Sequence, residues 1–296
     1  MVRWTILQAG LYLAGAGVLA GLLSAKSFKR EHILLALAGI LTFFPLFVSL
    51  LNGQDTALLF LGATLWLVGL LTGREWLAGL GLALMTVRPQ IALVLATPFV
   101  FRQRAVWWWF LVGSVVLGVV SIFAVGIQSI FEFGQLILLS AGGNGYGIQE
   151  QAMVNLIGLL TRLAPGLGRE IIHMIGWAVY GLAMIGLCVL WRCSREIDER
   201  QIALAVILAI FTAPHLHYHD LVLFLIPIFC LIVLIAHRSL LDLRTSVLFP
   251  LMASWLLVVS NFLPALKFSV PYILGLLLAA ALWVPEFVFR QRKKLI

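Results

Sequence analysis

Residues 77–104 read LAGLGLALMTVRPQIALVLATPFVFRQR, and this stretch decides how the chain folds. It is apolar for long enough to cross a bilayer, yet Arg88 and Pro89 stand in its middle. Proline removes a backbone hydrogen-bond donor and disfavours the helical conformation of the residue before it, so a break is expected there. The pattern therefore predicts two half-helices, residues 76–87 and 90–101, that meet at a turn beside Arg88.

The rest of the chain is also strongly apolar, which is typical of an integral membrane protein. Hydrophobic residues make up 62% of the 296 residues and charged residues 11%, and the mean hydropathy is +1.09. A run of about 20 apolar residues suffices to cross a bilayer as a helix. We therefore predict one all-α membrane domain over residues 1–296, with a hairpin at 76–101 and about nine full spans, near residues 4–24, 33–51, 57–72, 106–127, 171–191, 201–213, 221–236, 246–262 and 271–289.

Basic residues fall in short clusters between the apolar runs, and these clusters set the predicted orientation. Short basic loops tend to remain cytoplasmic. A full crossing by residues 76–101 would place Arg102 and Arg104 on the side opposite Arg74, whereas a re-entrant hairpin keeps all three on one side. The chain is then a multi-pass protein of the plasma (inner) membrane with a cytoplasmic C-terminus. Clusters of this kind do not indicate nucleic-acid binding, despite the net charge of +8.

In this orientation several polar segments share the outer face. They are LNGQDT at 51–56, the long loop at 128–170, PHLHYHD at 214–220 and NFLPALKFS at 261–269. We predict that the long loop is an extracytoplasmic lid with an interfacial helix near residues 149–163. The hairpin enters the bundle from the cytoplasmic side, and its turn points toward the outer face.

Arg88 is the most informative single residue of the chain. An arginine near the bilayer centre costs about 2.5–3.5 kcal/mol unless another group compensates its charge. The sequence is compatible with two kinds of partner: an anionic ligand, or a structural pair with a buried carboxylate or with helix carbonyls. Gln90 would add a neutral hydrogen-bond donor beside it.

The segment PHLHYHD carries three histidines at alternate positions, His215, His217 and His219. On a helix, successive members would lie about 200° apart, so only His215 and His219 could share a face. That pair has metal-ligand spacing, but the only further ligand nearby is Asp220, and the histidines suit a phosphate or a sugar equally well. We predict no metal site. Asp220 is also well placed to be the N-cap of the following helix.

The segment LNGQDT has two interpretations. Asn52 and Gly53 favour a turn with positive φ, after which Asp55 or Thr56 caps the next span. Alternatively, Gln54 and Asp55 line an outer cavity.

Four blocks of the sequence, taken in order, resemble the conserved blocks of glycosyltransferase family 87, the DUF2029 group of polyprenyl-phosphate-mannose-dependent mannosyltransferases. They are FPLFVSLLNGQDTALLFL, LAGLGLALMTVRPQIALVLATPFVFRQR, AMVNLIGLLTRL and TAPHLHYHDLVLFLIPI, which together extend over about residues 40–236. Arg88 occupies the place of the lysine in a Lys-Pro-Gln-like block, which keeps the charge. The resemblance implies the fold called GT-C.

The same resemblance implies an enzyme that transfers a hexose, mannose in the type members, from a polyprenyl-phosphate donor to an extracytoplasmic lipid or glycan acceptor, without a cofactor. By this resemblance the donor phosphate would be bound by Arg88, Gln90, His215, His217 and His219. Gln54 and Asn155 would line the cavity. The carboxylates within the matching blocks, Asp55 and Asp220, are then the candidates for the base that assists the acceptor hydroxyl.

One departure from the family pattern leaves alternatives open. Family members begin with further spans and a large outer loop that bears the catalytic aspartate, and the sequence predicts that both are missing here. A truncated chain, a partner chain that supplies the first spans, or a rearranged enzyme would each explain this. Two other functions also fit: a transporter or flippase of an anionic lipid-linked substrate, because broken helices bind such substrates, and an inactive scaffold subunit.

Overall fold

The computed structural model describes residues 2–141, 149–194, 196–238, 249–263 and 268–292, and within these ranges it is all-helical. In chain order the helices are α1 (Val2–Ala25), α2 (Arg30–Leu41), α3 (Phe44–Leu51), α4 (Thr56–Leu71), α5 (Glu75–Leu84), α6 (Pro89–Ala96), α7 (Arg104–Val125), α8 (Ile127–Ala141), α9 (Leu156–Leu163), α10 (Arg169–Cys193), α11 (Glu199–Thr212), α12 (Leu225–Arg238), α13 (Phe249–Phe262) and α14 (Val270–Arg292).

The predicted all-α class is confirmed, but the count of about nine full spans is not. Among the described residues, α1, α7 and α10 are each long and apolar enough to cross a bilayer, and α2 with α3 forms a fourth candidate that is bent by 42°. The other apolar helices are shorter, at 10–17 residues. Bends and 3-10 turns divide several of the apolar runs into these shorter helices, so the number of full spans stays a prediction.

The predicted break at Arg88 is present. Helix α5 tightens into a 3-10 turn over Met85–Val87, Arg88 leaves the helical region with φ −125° and ψ 77°, and α6 begins at Pro89. Proline is tolerated at the first position of a helix because its missing N–H would have no partner there. The sequence therefore ends one helix and starts the next within two residues.

Glycine contacts show that the chain reverses direction at this break. Gly79 of α5 packs against the backbone of Val106, and Gly113, further along α7, packs against Ala83. Contacts therefore advance in the same direction along α5 and α7, so the two helices run parallel and the intervening α6 leads the chain back. This is the arrangement expected of a re-entrant hairpin. The side of the membrane on which it opens stays a prediction.

Three of the described basic segments, around Lys26, Arg102 and Trp191, lie at the same end of the bundle. At one end Lys26, after α1, pairs with Glu199 at the start of α11 (3.8 Å), and Arg102 donates to the carbonyl oxygen of Trp191 (3.0 Å). At the other end the indole of Trp4 donates to the carbonyl oxygen of Gly53 (2.8 Å). The polar segments around Asp55 and the histidines are thus separated from the basic loops.

The long loop predicted at 128–170 contains more helix than expected. Gly126 adopts φ +84°, which redirects the chain, and α8 then runs over Ile127–Ala141. The predicted interfacial helix near 149–163 is shorter: a 3-10 turn at Glu150–Ala152 precedes α9, whose N-cap is Asn155. The role of the segment as a lid stays a prediction.

Some predicted features lie outside the described residues. They are the glycines within residues 142–148, the basic loop at residues 239–248, residues 264–267 of NFLPALKFS and residues 293–296, which include the end of the basic tail.

The first prediction concerns the packing of α4 on α5, which run antiparallel through glycines at their contact. A methyl group on Gly81 would lie 2.6 Å from the carbonyl oxygen of Gly62 and closer still to the backbone of Trp66. Because neither backbone can yield, we expect Gly81→Ala to cost about 1–3 kcal/mol, measured as a fall in melting temperature in detergent. Gly17, which has no neighbour within 4 Å of such a methyl, is the matched control. Equal melting temperatures for both variants would contradict the close approach.

The second prediction tests the hairpin. Arg74 and Arg104 are exposed at the starts of the parallel helices α5 and α7. In a chain whose three native cysteines are replaced by serine, Arg74→Cys and Arg104→Cys should be labelled by an impermeant maleimide from the same side of the membrane. Asn52→Cys, at the opposite end, should be labelled from the other side. Labelling of Arg74→Cys and Arg104→Cys from opposite sides would mean that residues 76–101 cross the membrane.

Candidate functional site

Three distant segments of the chain meet at Arg88. Asp55 comes from the turn before α4, Arg88 from the break before α6, and Asp220 from the segment that follows α11. Nη2 of Arg88 lies 2.9 Å from Oδ1 of Asp55, and Nε lies 3.2 Å from Oδ1 of Asp220. We call Arg88, Asp55, Asp220 and His219 the Arg88 cluster.

The guanidinium of Arg88 is paired on two of its edges. Nη1 donates to Oδ2 of Asp55 (3.2 Å), so this carboxylate faces both terminal nitrogens, while Nε donates to Asp220. Nη1 also approaches the carbonyl oxygen of Val87 at 3.3 Å. Of the two alternatives for Arg88, the structure contains the carboxylate pair. Binding of an anionic ligand stays a prediction.

Asp220 is the buried partner. Its residue is 1% exposed, and its second oxygen, Oδ2, accepts a hydrogen bond from the backbone N–H of His217 (3.1 Å). His217 is the N-cap of the 3-10 helix Tyr218–Phe224, and Asp220 completes a capping box from the third position. The predicted N-cap role of Asp220 was therefore wrong by three positions, although the residue does cap this helix.

Asp55 is held much less firmly. It occupies the N-cap position of α4, but its side chain makes no hydrogen bond to the backbone of that helix. Its side chain is 35% exposed, whereas that of Arg88 is 17% exposed. Both of its oxygens face Arg88, so the ion pair replaces the predicted capping role.

The three histidines form a row rather than a helical pair. Helix α11 ends at Thr212 and the 3-10 helix starts at Tyr218, so the segment between them is not helical. Alternate residues of an extended segment lie on the same side. The ring centroids of His215 and His217 are 4.6 Å apart, and those of His217 and His219 are 5.7 Å apart. His215 and His219 therefore do not share a helix face, because only His219 belongs to the 3-10 helix.

One end of this row touches Arg88. Nε2 of His219 lies 3.5 Å from Nη2 of Arg88 and 3.7 Å from Asp220. Burial lowers the pKa of His217 to about 4 and also lowers that of His215, so both rings are neutral at pH 7. Within the part of the chain that the structure describes, no three His, Cys, Asp or Glu side chains are grouped to hold a metal ion.

Gln90 and Asn155 position the backbone that carries the histidines. Nε2 of Gln90 donates to the carbonyl oxygen of His215 (2.8 Å), while the carbonyl of Gln90 accepts from the hydroxyl of Tyr180 (2.7 Å). Asn155 is fully buried, and its Nδ2 donates to the carbonyl oxygen of Ala213 (2.7 Å). Gln54, half-buried beside Asp55, donates its backbone N–H to Ser49 (3.0 Å). Asn155 is thus a structural link behind the site.

Three tyrosines that the sequence did not single out support the same region. Tyr180 bonds to Gln90 as described, Tyr272 donates to the carbonyl oxygen of Asn155 (2.5 Å), and Tyr218 donates to that of Leu257 (2.9 Å). For Tyr180 and Tyr272 the signal is a tyrosine inside an apolar run, because its hydroxyl needs a partner when buried, whereas Tyr218 lies within PHLHYHD.

An apolar groove of about 400 Å³ lies at the other end of α6, away from Arg88. Its lining comes from the 3-10 turn that follows α6 and from the last turns of α10, with these residues: Thr97, Phe101, Met184, Ile185, Cys188, Val189 and Arg192. Apart from Thr97 and Arg192, its lining side chains are apolar, so most of its surface is suited to a hydrocarbon chain.

Comparison with known proteins identifies the family of the chain. The model of glycosyltransferase family 87 matches residues 1–216, a range that includes Asp55, Arg88, Gln90 and His215. No curated protein and no solved structure matches the chain. Because the matched range is well over half of the 296 residues, the chain belongs to glycosyltransferase family 87.

Proposed function

We propose that this membrane glycosyltransferase transfers a hexose, mannose by resemblance, from a polyprenyl-phosphate donor to the hydroxyl of a lipid or glycan acceptor at the outer face of the plasma membrane. Family membership makes the chain a membrane glycosyltransferase that needs a sugar donor and an acceptor. The donor, the sugar, the orientation, the GT-C fold and a partner chain for further spans are parts of the proposal.

The observation that carries the proposal is the convergence of charge at Arg88. A guanidinium and two carboxylates from segments 33 and 132 residues away meet inside an apolar bundle. Intramembrane ionisable groups are costly, so their presence favours a functional site. This site is accessible, because Asp55 and Arg88 retain exposed surface.

Arginine suits the phosphate of a lipid-linked donor. Its planar guanidinium offers parallel N–H groups that match the oxygens of a phosphate, and its charge persists at every relevant pH. The neutral histidines beside it can donate to or accept from sugar hydroxyls.

The apolar groove supports a donor with a long hydrocarbon chain. Helix α6 runs from the Arg88 break to the groove, a distance of about 12 Å for eight helical residues at about 1.5 Å each. A phosphate at Arg88 would therefore leave room for an isoprenoid chain to follow α6 and α10 into the membrane. Met184 of α10 already contacts Thr97 there, with Oγ1 of Thr97 3.3 Å from Sδ.

The third prediction tests the donor site with transfer measured in membranes from radiolabelled polyprenyl-phosphate mannose or glucose to total lipid acceptors. We expect Arg88→Gln to lower transfer by about 100-fold, because removing one preorganised charge costs that much in comparable sites. Arg88→Lys keeps the charge but not the two-pronged geometry, and should lower transfer about tenfold.

Arg74→Gln is the control for that experiment, because Arg74 is an exposed arginine outside the site. It should leave transfer unchanged, and the melting temperature of each variant separates lost binding from lost folding. Transfer by Arg88→Gln at the level of the unmodified chain would contradict the proposed site. Movement of a lipid-linked sugar across vesicles without transfer would instead indicate a transporter.

A further inference from the structure

The two carboxylates on Arg88 are held in very different ways. Asp220 is 1% exposed, pairs with Nε and also accepts from the backbone of His217. Asp55 has a 35% exposed side chain, makes no capping hydrogen bond to α4 and pairs with the two terminal nitrogens of Arg88. Gly53, two residues before it, adopts φ +64° in the turn that precedes α4. Asp55 can move without breaking a helix cap, and Asp220 cannot.

A phosphate cannot simply be added to this cluster. One guanidinium already faces two carboxylates, and burial lowers the pKa of both nearby histidines, His217 and His219, which disfavours a compensating positive charge. Two like charges about 4 Å apart repel by about 4 kcal/mol near a protein surface. A third anion would therefore meet a net repulsion, and the Nη1–Nη2 edge that best fits a phosphate is the edge that Asp55 occupies.

We propose that the phosphate of the lipid-linked donor takes the place of Asp55 on Arg88, and that the released Asp55 carboxylate becomes the base for the acceptor hydroxyl. The proposal rests on the proposed function and deepens it. The exchange keeps two anions on the guanidinium throughout, since one leaves as the other enters. Donor binding thereby frees the base at the moment when a sugar is present to be transferred.

The transfer step balances with these groups. The acceptor oxygen forms a bond to the anomeric carbon of the sugar, and the bond from that carbon to the phosphate oxygen breaks. Its electron pair leaves with the polyprenyl phosphate, which gains one negative charge on Arg88. The proton of the acceptor hydroxyl moves to Asp55, which releases it to water after the products leave. Arg88 then stabilises charge that develops during the reaction, which is where such a group contributes most.

The fourth prediction separates binding from turnover. Asp55→Asn removes the competing charge, so we expect polyprenyl phosphate to bind three- to tenfold more tightly than to the unmodified chain, while transfer falls by about 100-fold or more. Binding is measured by the fluorescence of the intrinsic tryptophans in detergent, and transfer in the membrane assay. Asp220→Asn should instead weaken binding and lower the melting temperature, because it leaves buried groups unpaired.

Glu132→Gln is the matched control, because Glu132 is an exposed carboxylate on α8 and its loss should change neither quantity. If Asp55→Asn weakens polyprenyl phosphate binding in parallel with transfer, Asp55 is a structural partner of Arg88 and the exchange is wrong. If Asp55→Asn transfers at the normal rate, Asp55 is not the base. Should Asp55→Asn not fold, Asp55→Ser, which also removes the charge, is measured in the same way.

The same measurements distinguish this inference from the function on which it rests. An unmodified chain that binds polyprenyl phosphate and transfers sugar, with an Asp55→Asn variant that fails the test above, would overturn the exchange alone. An unmodified chain that neither binds polyprenyl phosphate nor transfers sugar would overturn the proposed donor, and the exchange with it.

Discussion

One ion-paired arginine at a break between two short helices joins the three segments that form the Arg88 cluster. A charge inside an apolar bundle must be compensated, and the compensating groups here lie 33 and 132 residues away along the chain. Arg88 can therefore be accommodated only after α4, α6 and the segment behind α11 have come together. The same requirement fixes Asp55 and Asp220 at one end of the bundle, opposite the basic loops.

The helix break and the small residues around it make that position available. Pro89 ends the helical path locally, and the glycines of α4, α5 and α7 allow these helices to approach within backbone contact. Because Gly79 and Gly113 have no side chains, α5 and α7 can pack side by side and run in the same direction. Helix α6 leads the chain from the end of α5 back to the start of α7. The arginine thus reaches the interior on a turn that is supported on both sides by rigid helices.

The features that the sequence predicted well are those with a local or compositional cause. The break at Arg88-Pro89 follows from the covalent structure of proline, and the separation of polar from basic segments follows from their charge. The bend between α2 and α3, by contrast, has no signal in hydropathy, which registers residues 33–51 as one continuous apolar run. The pairing of Arg88 with both Asp55 and Asp220, and the row of histidines, could not be derived because each depends on where distant segments meet.

The charge balance of the Arg88 cluster also constrains how such a site can recognise a phosphate. With two carboxylates and one guanidinium, the cluster does not attract an anion by net charge, and the neutral ring of His217 does not change that sign. The proposed exchange meets this constraint, because the geometry of the guanidinium favours a phosphate over a carboxylate. Exchange needs one firmly held and one loosely held partner. The burial of Asp220 and the exposure of Asp55 provide that difference.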